Sequence, residues 1–108
     1  MSVTIEAGTK HLTLLNVYEV KRARQQQLID LLNSAAKELA HQQKGLISFV
    51  IHRSFDGTRV VNYSQWKSRE AFEAALANPA ARKHIDAAMA VAVNTPIFCE
   101  VVSIYETH

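Results

Sequence analysis

The sequence predicts an α+β domain in which two helices cover one face of a four-stranded antiparallel sheet. Three observations carry this prediction. Four short runs are rich in β-formers, two longer runs repeat apolar residues at helical spacing, and together they follow one another as βαββαβ. That order is the ferredoxin-like split βαβ arrangement. A chain of 108 residues has room for one core only.

Residues 1–10 are polar and patternless and predict a loose tail, so the folded domain is 11–108. His11 to Val20 reads as the first strand. From Arg24 to Gln43, Leu28, Leu31, Leu32, Ala35 and Leu39 mark one face of a helix, with Gly45 after it as a stop. Leu46 to Ser54 and Thr58 to Trp66 are two strands around Phe55-Asp56-Gly57, a hairpin signal. Ser68 caps a second helix, about 69–92, that Asn78-Pro79 breaks and restarts. Asn94-Thr95-Pro96 ends it, and Ile97 to Tyr105 is the fourth strand.

A three-residue hairpin loop with Gly57 in the left-handed position pairs Ser54 with Thr58. On that register Ser48, Val50, His52, Val60, Asn62, Ser64 and Trp66 share one face. Ile47, Phe49, Ile51, Val61 and Tyr63 share the other. A two-residue Asp-Gly loop would instead separate His52 from Asn62. With the mixed face under the helices, the apolar face is left open and calls for a second copy of the chain, a homodimer.

Composition excludes several classes. Apolar residues at 48% and charged residues at 20% are a globular balance. A net charge of +2, with one short basic run at Lys21-Arg22 and Arg24, is no nucleic-acid footprint. Cys99 is the only cysteine, no apolar run approaches a membrane span of ~18 residues, and no basic n-region opens the chain. The expectation is a cytoplasmic protein with no membrane contact. No glycine fingerprint or phosphate loop offers a cofactor cradle, and His11, His41, His52, His84 and His108 lack metal-ligand spacing. No cofactor and no metal are expected.

Asn62 stands in mid-strand against β-propensity, and Trp66 lies four residues on along the same face. Each alone reads as a structural hydrogen bond or plain core. Together they aim an amide and an indole N–H into one apolar recess, which suits an oxygenated ring. His52 belongs to that face on the same register, and Arg82 and His84 stand on the broken helix.

The stretch from Gly45 to Phe72, above all the Asp-Gly hairpin and Asn62-Tyr-Ser-Gln-Trp66, resembles the antibiotic biosynthesis monooxygenase family, most closely its quinone-forming members. The resemblance implies a dimeric α+β barrel of two sheets packed face to face, which agrees with the patterning. It makes Asn62 and Trp66 the pair that binds substrate and intermediate, with His52 lining the pocket. The family tyrosine that follows Ser-Arg-Glu-Ala is Phe72 here, and the arginine expected further on falls at Asp86.

The resulting expectation is a cofactor-independent oxidation of a small phenol, hydroquinone or anthrone by dioxygen to a quinone. Asn62 and Trp66 would stabilise the developing phenolate, and His52 or His84 would carry the proton. Haem degradation is an alternative, since Asn16 and His84 roughly match the residues other dimers of this fold use for it. An isomerase, or a non-catalytic small-molecule-binding dimer, are further alternatives.

Overall fold

The computed structural model describes residues 2–42 and 45–107, so the expected helix end at Gln43 lies outside them, as do Met1 and His108 at the ends of the expected tail and domain. The chain runs β1 (Leu12–Val20), a 3-10 turn (Arg22–Arg24), α1 (Gln25–Gln42), β2 (Leu46–Arg53), β3 (Arg59–Trp66), α2 (Arg69–Leu76), α3 (Pro79–Val91) and β4 (Ala92–Cys99). The strands form one antiparallel sheet in the order β2-β3-β1-β4, the expected ferredoxin-like topology.

The helices form where their caps and stripes predict. Leu28, Leu32, Ala35 and Leu39 give α1 a buried stripe toward the sheet. Ser68 caps α2 by accepting from the Ala71 N–H at 3.1 Å. Asn78 caps α3 by accepting from Ala80 and Ala81, with Pro79 in its first turn. Gly45 does not sit in the left-handed region. Its lack of a side chain serves a close approach instead: a Cβ there would lie 2.3 Å from the Cβ of Ala71 on α2.

The hairpin register differs from the expected one. The loop has four residues, Phe55 to Thr58, because Ser54 and Arg59 close it. The Ser54 N–H donates to Arg59 O at 3.1 Å and the Gly57 N–H to Ser54 O at 3.2 Å. Asp56 braces it: its Oδ1 accepts from the Ser54 hydroxyl, the Thr58 N–H and the Thr58 hydroxyl at 2.7–2.9 Å. These bonds hold the Asp56 carboxyl down at about 2, so their contribution is present above the ordinary carboxylate range and fades as pH falls through about 2. The buried Gln25 amide ties the hairpin to α1, donating to Arg59 O at 2.9 Å and Ser54 O at 3.2 Å.

One residue of slip moves a whole strand's side chains across the sheet. Phe49 therefore stands opposite Ser64 and Ile51 opposite Asn62, on the helix-covered face. His52 pairs with Val61 on the outer face, away from Asn62, contrary to the expected grouping. The expected outer set of Ile47, Phe49, Ile51, Val61 and Tyr63 is thereby split. A bulge between Leu46 and Ser48 returns Leu46 to its place opposite Trp66.

The fourth strand is also corrected. It begins at Ala92, directly after α3, and carries Asn94, Thr95 and Pro96 inside it. Pro96 is tolerated because β4 is an edge strand, where a missing N–H costs no ladder bond on the open side. Residues 100–107 have no regular secondary structure.

Two clusters make the core between sheet and helices. Tyr18, Val20, Leu28, Leu32, Val60 and Ala88 form one; Leu14, Leu39, Trp66, Ala75 and Ala81 form the other.

Candidate active site

Residues of both clusters wall a cavity of about 280 Å³ between the sheet and the three helices. Strand alternation supplies its floor: Leu14, Asn16 and Tyr18 from β1, Asn62, Ser64 and Trp66 from β3, and Asn94, Pro96 and Phe98 from β4. Helical spacing supplies its roof, with Leu32, Ala35 and Leu39 from α1 and Phe72, Ala75 and Leu76 from α2. Phe49 of β2 and Arg82, Ile85 and Met89 of α3 complete the lining, and exposed Arg82, Met89 and Phe98 form its rim. A larger and more open groove of about 700 Å³ runs between residues 2–11, α1 and β2. It gathers no comparable set of buried polar groups.

Three amides cross the cavity floor in a row. Asn16 stands opposite Asn62 on one neighbouring strand, and on the other side its Oδ1 accepts from the Asn94 Nδ2 at 3.0 Å. The Oδ1 atoms of Asn62 and Asn94 are both buried with no hydrogen-bond partner among the described residues. An orphaned buried acceptor costs about 1–3 kcal/mol, a cost that any hydrogen-bond donor entering the cavity would relieve.

Asn62 is 2% exposed, and its neighbours explain why it is held so firmly. Val60 and Ser64 flank it on the same buried face, with Ile51 across the strand pair. Trp66 is as deeply buried, but its indole N–H is engaged: it donates to the Ser64 Oγ at 3.0 Å, and that hydroxyl donates to Leu14 O at 3.3 Å. The expected pair is therefore assembled in one cavity with different freedom, the Asn62 amide oxygen unpaired and the Trp66 donor occupied. Phe72 packs edge-on against Trp66 with ring centroids 5.3 Å apart and against Phe98 at 5.7 Å. The Arg69 guanidinium lies over the Phe98 ring at 4.2 Å. Tyr18 lines the cavity opposite Asn94 on β4, and burial pushes its phenol up to about 12.

The remaining expected site residues divide. Asn16 and Phe72 line the cavity, and so does Arg82, which holds Asp86 in an exposed ion pair at 3.2 Å. Asp86, which occupies the position of the expected arginine, is thus the partner of one a turn away. His52 is excluded, being exposed on the opposite sheet face with its ring Nδ1 3.3 Å from Val61 O. His84 is half-buried on α3 but is not part of the lining, because the inward positions of that helix are Arg82, Ile85 and Met89. Ser64 lines the cavity from the face it was expected to share with Asn62 and Trp66, whereas Asn94, Tyr18 and Phe98 are lining residues that no pattern in the sequence singled out. Asn94 was hidden by its place in an Asn-Thr-Pro turn signal, and the available clue was that proline is compatible with an edge strand. Among the described residues no group of three or more His, Cys, Asp or Glu is placed to hold a metal ion, and no helix is long and apolar enough to cross a membrane.

Residues 12–87 match the protein family described as antibiotic biosynthesis monooxygenase. The chain is 39% identical over 98 residues to the tetracenomycin-F1 monooxygenase of Streptomyces glaucescens, covering 91% of this chain and 88% of that one. Its fold is similar to that of SnoaB, a cofactor-independent oxygenase from Streptomyces nogalater, with a TM-score of 0.78 and 22% identity over 89% of this chain and 97% of that chain. It is equally similar to a monooxygenase from the ActVA-Orf6 gene of Streptomyces coelicolor in complex with nanaomycin D, with a TM-score of 0.78 and 24% identity over 90% of this chain and 92% of that one.

Proposed function

This chain belongs to the antibiotic biosynthesis monooxygenase family and is a monooxygenase, and from that premise we propose that it oxidises a phenol- or anthrone-like aromatic to a quinone with dioxygen and no cofactor. The single observation that carries the reading is Asn62, a buried amide with an orphaned oxygen in a cavity walled by Trp66 and Phe72. The cofactor-independent chemistry is that of the similar oxygenase SnoaB. The aromatic class of substrate fits the walls of the cavity.

The protein supplies an environment and the substrate supplies the electrons. Asn62 accepts from the substrate hydroxyl with its unpaired Oδ1 and, once that proton has gone, turns its amide so that the nitrogen donates to the ionised oxygen. Trp66 and Phe72 hold the ring flat in the cavity, with the indole fixed by Ser64. The proton leaves to solvent at the rim beside Arg82, since neither His52 nor His84 faces the cavity. The ionised substrate passes one electron to dioxygen, and the two radicals join as a carbon–oxygen bond. The resulting peroxide loses its carbon-bound proton as the O–O bond breaks. One oxygen atom stays as the quinone carbonyl and the other leaves as water with the two hydrogens the substrate gave up. No external reductant is needed.

The reading includes a homodimer through the outer sheet face, which none of the helices covers. Leu15, Val17, Val61, Val93 and Ile97 lie on it, and Val93 and Ile97 are 65% and 44% exposed. The haem-degrading alternative is not favoured, because no histidine lines the cavity among the described residues.

The test is oxygen uptake with a panel of phenols and anthrones that carry hydrogen at the reacting carbon, without added flavin or metal, followed by mass analysis of products made under labelled dioxygen. One labelled atom in the quinone is the expected result. A panel consumed no faster than in buffer, or product without label, would refute the reaction proposed.

A further inference from the structure

We infer that Asn94 is a specificity-determining residue of this cavity, and that its Oδ1 accepts from a second hydroxyl of the aromatic substrate, remote from the one held by Asn62. The inference rests on the reading that this cavity is the substrate site, and it deepens that reading.

The argument begins with Asn94 itself. Its Nδ2 is committed to Asn16 Oδ1 at 3.0 Å, which leaves the Oδ1 as the open end of the amide. That Oδ1 is buried, lacks a partner among the described residues, and belongs to a side chain lining the cavity. An acceptor so placed in an apolar recess is matched by an O–H or N–H donor of the ligand. Nothing about holding the strand requires it, since Asn94 is on an edge strand whose ladder with β1 is made by backbone groups.

Spacing sets the second half. Asn62 and Asn94 lie on the two strands that flank β1, with Asn16 between them. Adjacent strands are about 4.7–4.9 Å apart, and Asn94 stands opposite Tyr18, two residues along β1 from the position opposite Asn62, so the two amides leave the floor more than two strand spacings apart. A hydroxyl remote from the one on Asn62 therefore suits Asn94. The surrounding walls, Trp66, Phe72 and Phe98, are aromatic and offer flat rings a place to pack. The product quinone loses the donor at its reacting oxygen while the hydroxyl on Asn94 persists, so Asn94 holds orientation through the reaction and Asn62 senses its progress.

Binding can be read without turnover, because Trp66 is the only tryptophan and lies in the cavity wall. Quenching of its fluorescence, under anaerobic conditions, is titrated with 1,5- and 2,6-naphthalenediol and with 1- and 2-naphthol. The wild-type protein is expected to bind at least one diol about tenfold more tightly than the corresponding naphthol. Asn94→Ala should abolish that preference while leaving the naphthol affinity within about twofold. Asn94→Leu, which keeps the side-chain volume and removes the acceptor, should do the same and guards against a cavity effect in the alanine variant. Diols that bind no better than naphthols, a preference that survives in both variants, or absence of binding by all four probes would each overturn the assignment. Diol preference that is lost in both variants, together with no oxygen uptake, would overturn the proposed reaction and uphold Asn94. Uptake without diol preference would do the reverse.

Discussion

Asn62 and Trp66 share one strand face four residues apart, yet their surroundings assign them unequal work. The unpaired Asn62 amide oxygen is free to meet a substrate, whereas the Trp66 donor is spent on Ser64. Asn62→Ala is expected to slow turnover by roughly a hundred- to a thousandfold, the loss of about 2.7–4 kcal/mol typical of removing one oxyanion donor. Its melting temperature should stay near that of the wild type, because the amide oxygen has no protein bond to lose. Trp66→Phe should cost less than about tenfold in turnover, and a hundredfold loss would show that the indole leaves Ser64 to hold the substrate. Steady-state oxygen uptake and a thermal melt on each variant decide the matter. Tyr18 gives a prediction in pH. Its folded phenol is raised to about 12 by burial while the unfolded one ionises near 10, so the unfolded chain sheds its proton first. Stability from this group is full below about pH 10 and is lost as pH rises to about 12, at up to about 1.4 kcal/mol per pH unit. Tyr18→Phe should flatten that alkaline loss in denaturant melts taken between those limits.

At the scale of elements, small features decide how strands and helices meet. The four-residue loop braced by Asp56 sets the β2–β3 register, and that register puts Phe49 and Ile51 under the helices and His52 outside. Alternation in the two strands was visible in the sequence, but alternation alone is indifferent to a slip of one residue. The deciding information was the loop length, which Phe-Asp-Gly does not specify because glycine suits hairpin loops of several lengths. Gly45 shows the same limit. Its position after α1 suggested a left-handed cap, while its role is to let the backbone pass Ala71. Gly45→Ala would place two methyl carbons 2.3 Å apart, so either β2 or α2 must shift. The expected loss is about 1–3 kcal/mol, as for other overpacked sites, measured by chemical denaturation. A variant as stable as the wild type would show that α2 yields without cost.

For the whole molecule, the helices cover one face of the sheet and leave the other open, and the proposed homodimer forms through that open face. That outer face is less uniformly apolar than the sequence implied. Ser48 donates to Gln65 at 2.7 Å, and Gln65 in turn donates to Tyr63 at 3.3 Å across it. Leu15, Val17 and Val61 still form its middle strands' apolar part, flanked by Val93 and Ile97. Val61→Lys is expected to convert a dimer to monomers, because an unpaired charge in that seam costs several kcal/mol. Light scattering at micromolar concentration checks it, and a wild-type protein that already runs as a monomer would sink the dimer.

The sequence by itself determined the order and type of the elements, the two helix caps, the break at Asn78-Pro79 and the single strand face that Asn62 and Trp66 share. These are local matters: period, capping chemistry and propensity act within a few residues. Tertiary structure alone decided the rest. It chose the hairpin register, so His52 left the site and Phe49 entered the covered face. It drew Asn94 and Pro96 into an edge strand, and it turned the Trp66 N–H onto Ser64 instead of the cavity. Each of these depends on which of several near-equal local options lets distant groups satisfy one another, and a linear pattern does not record that choice.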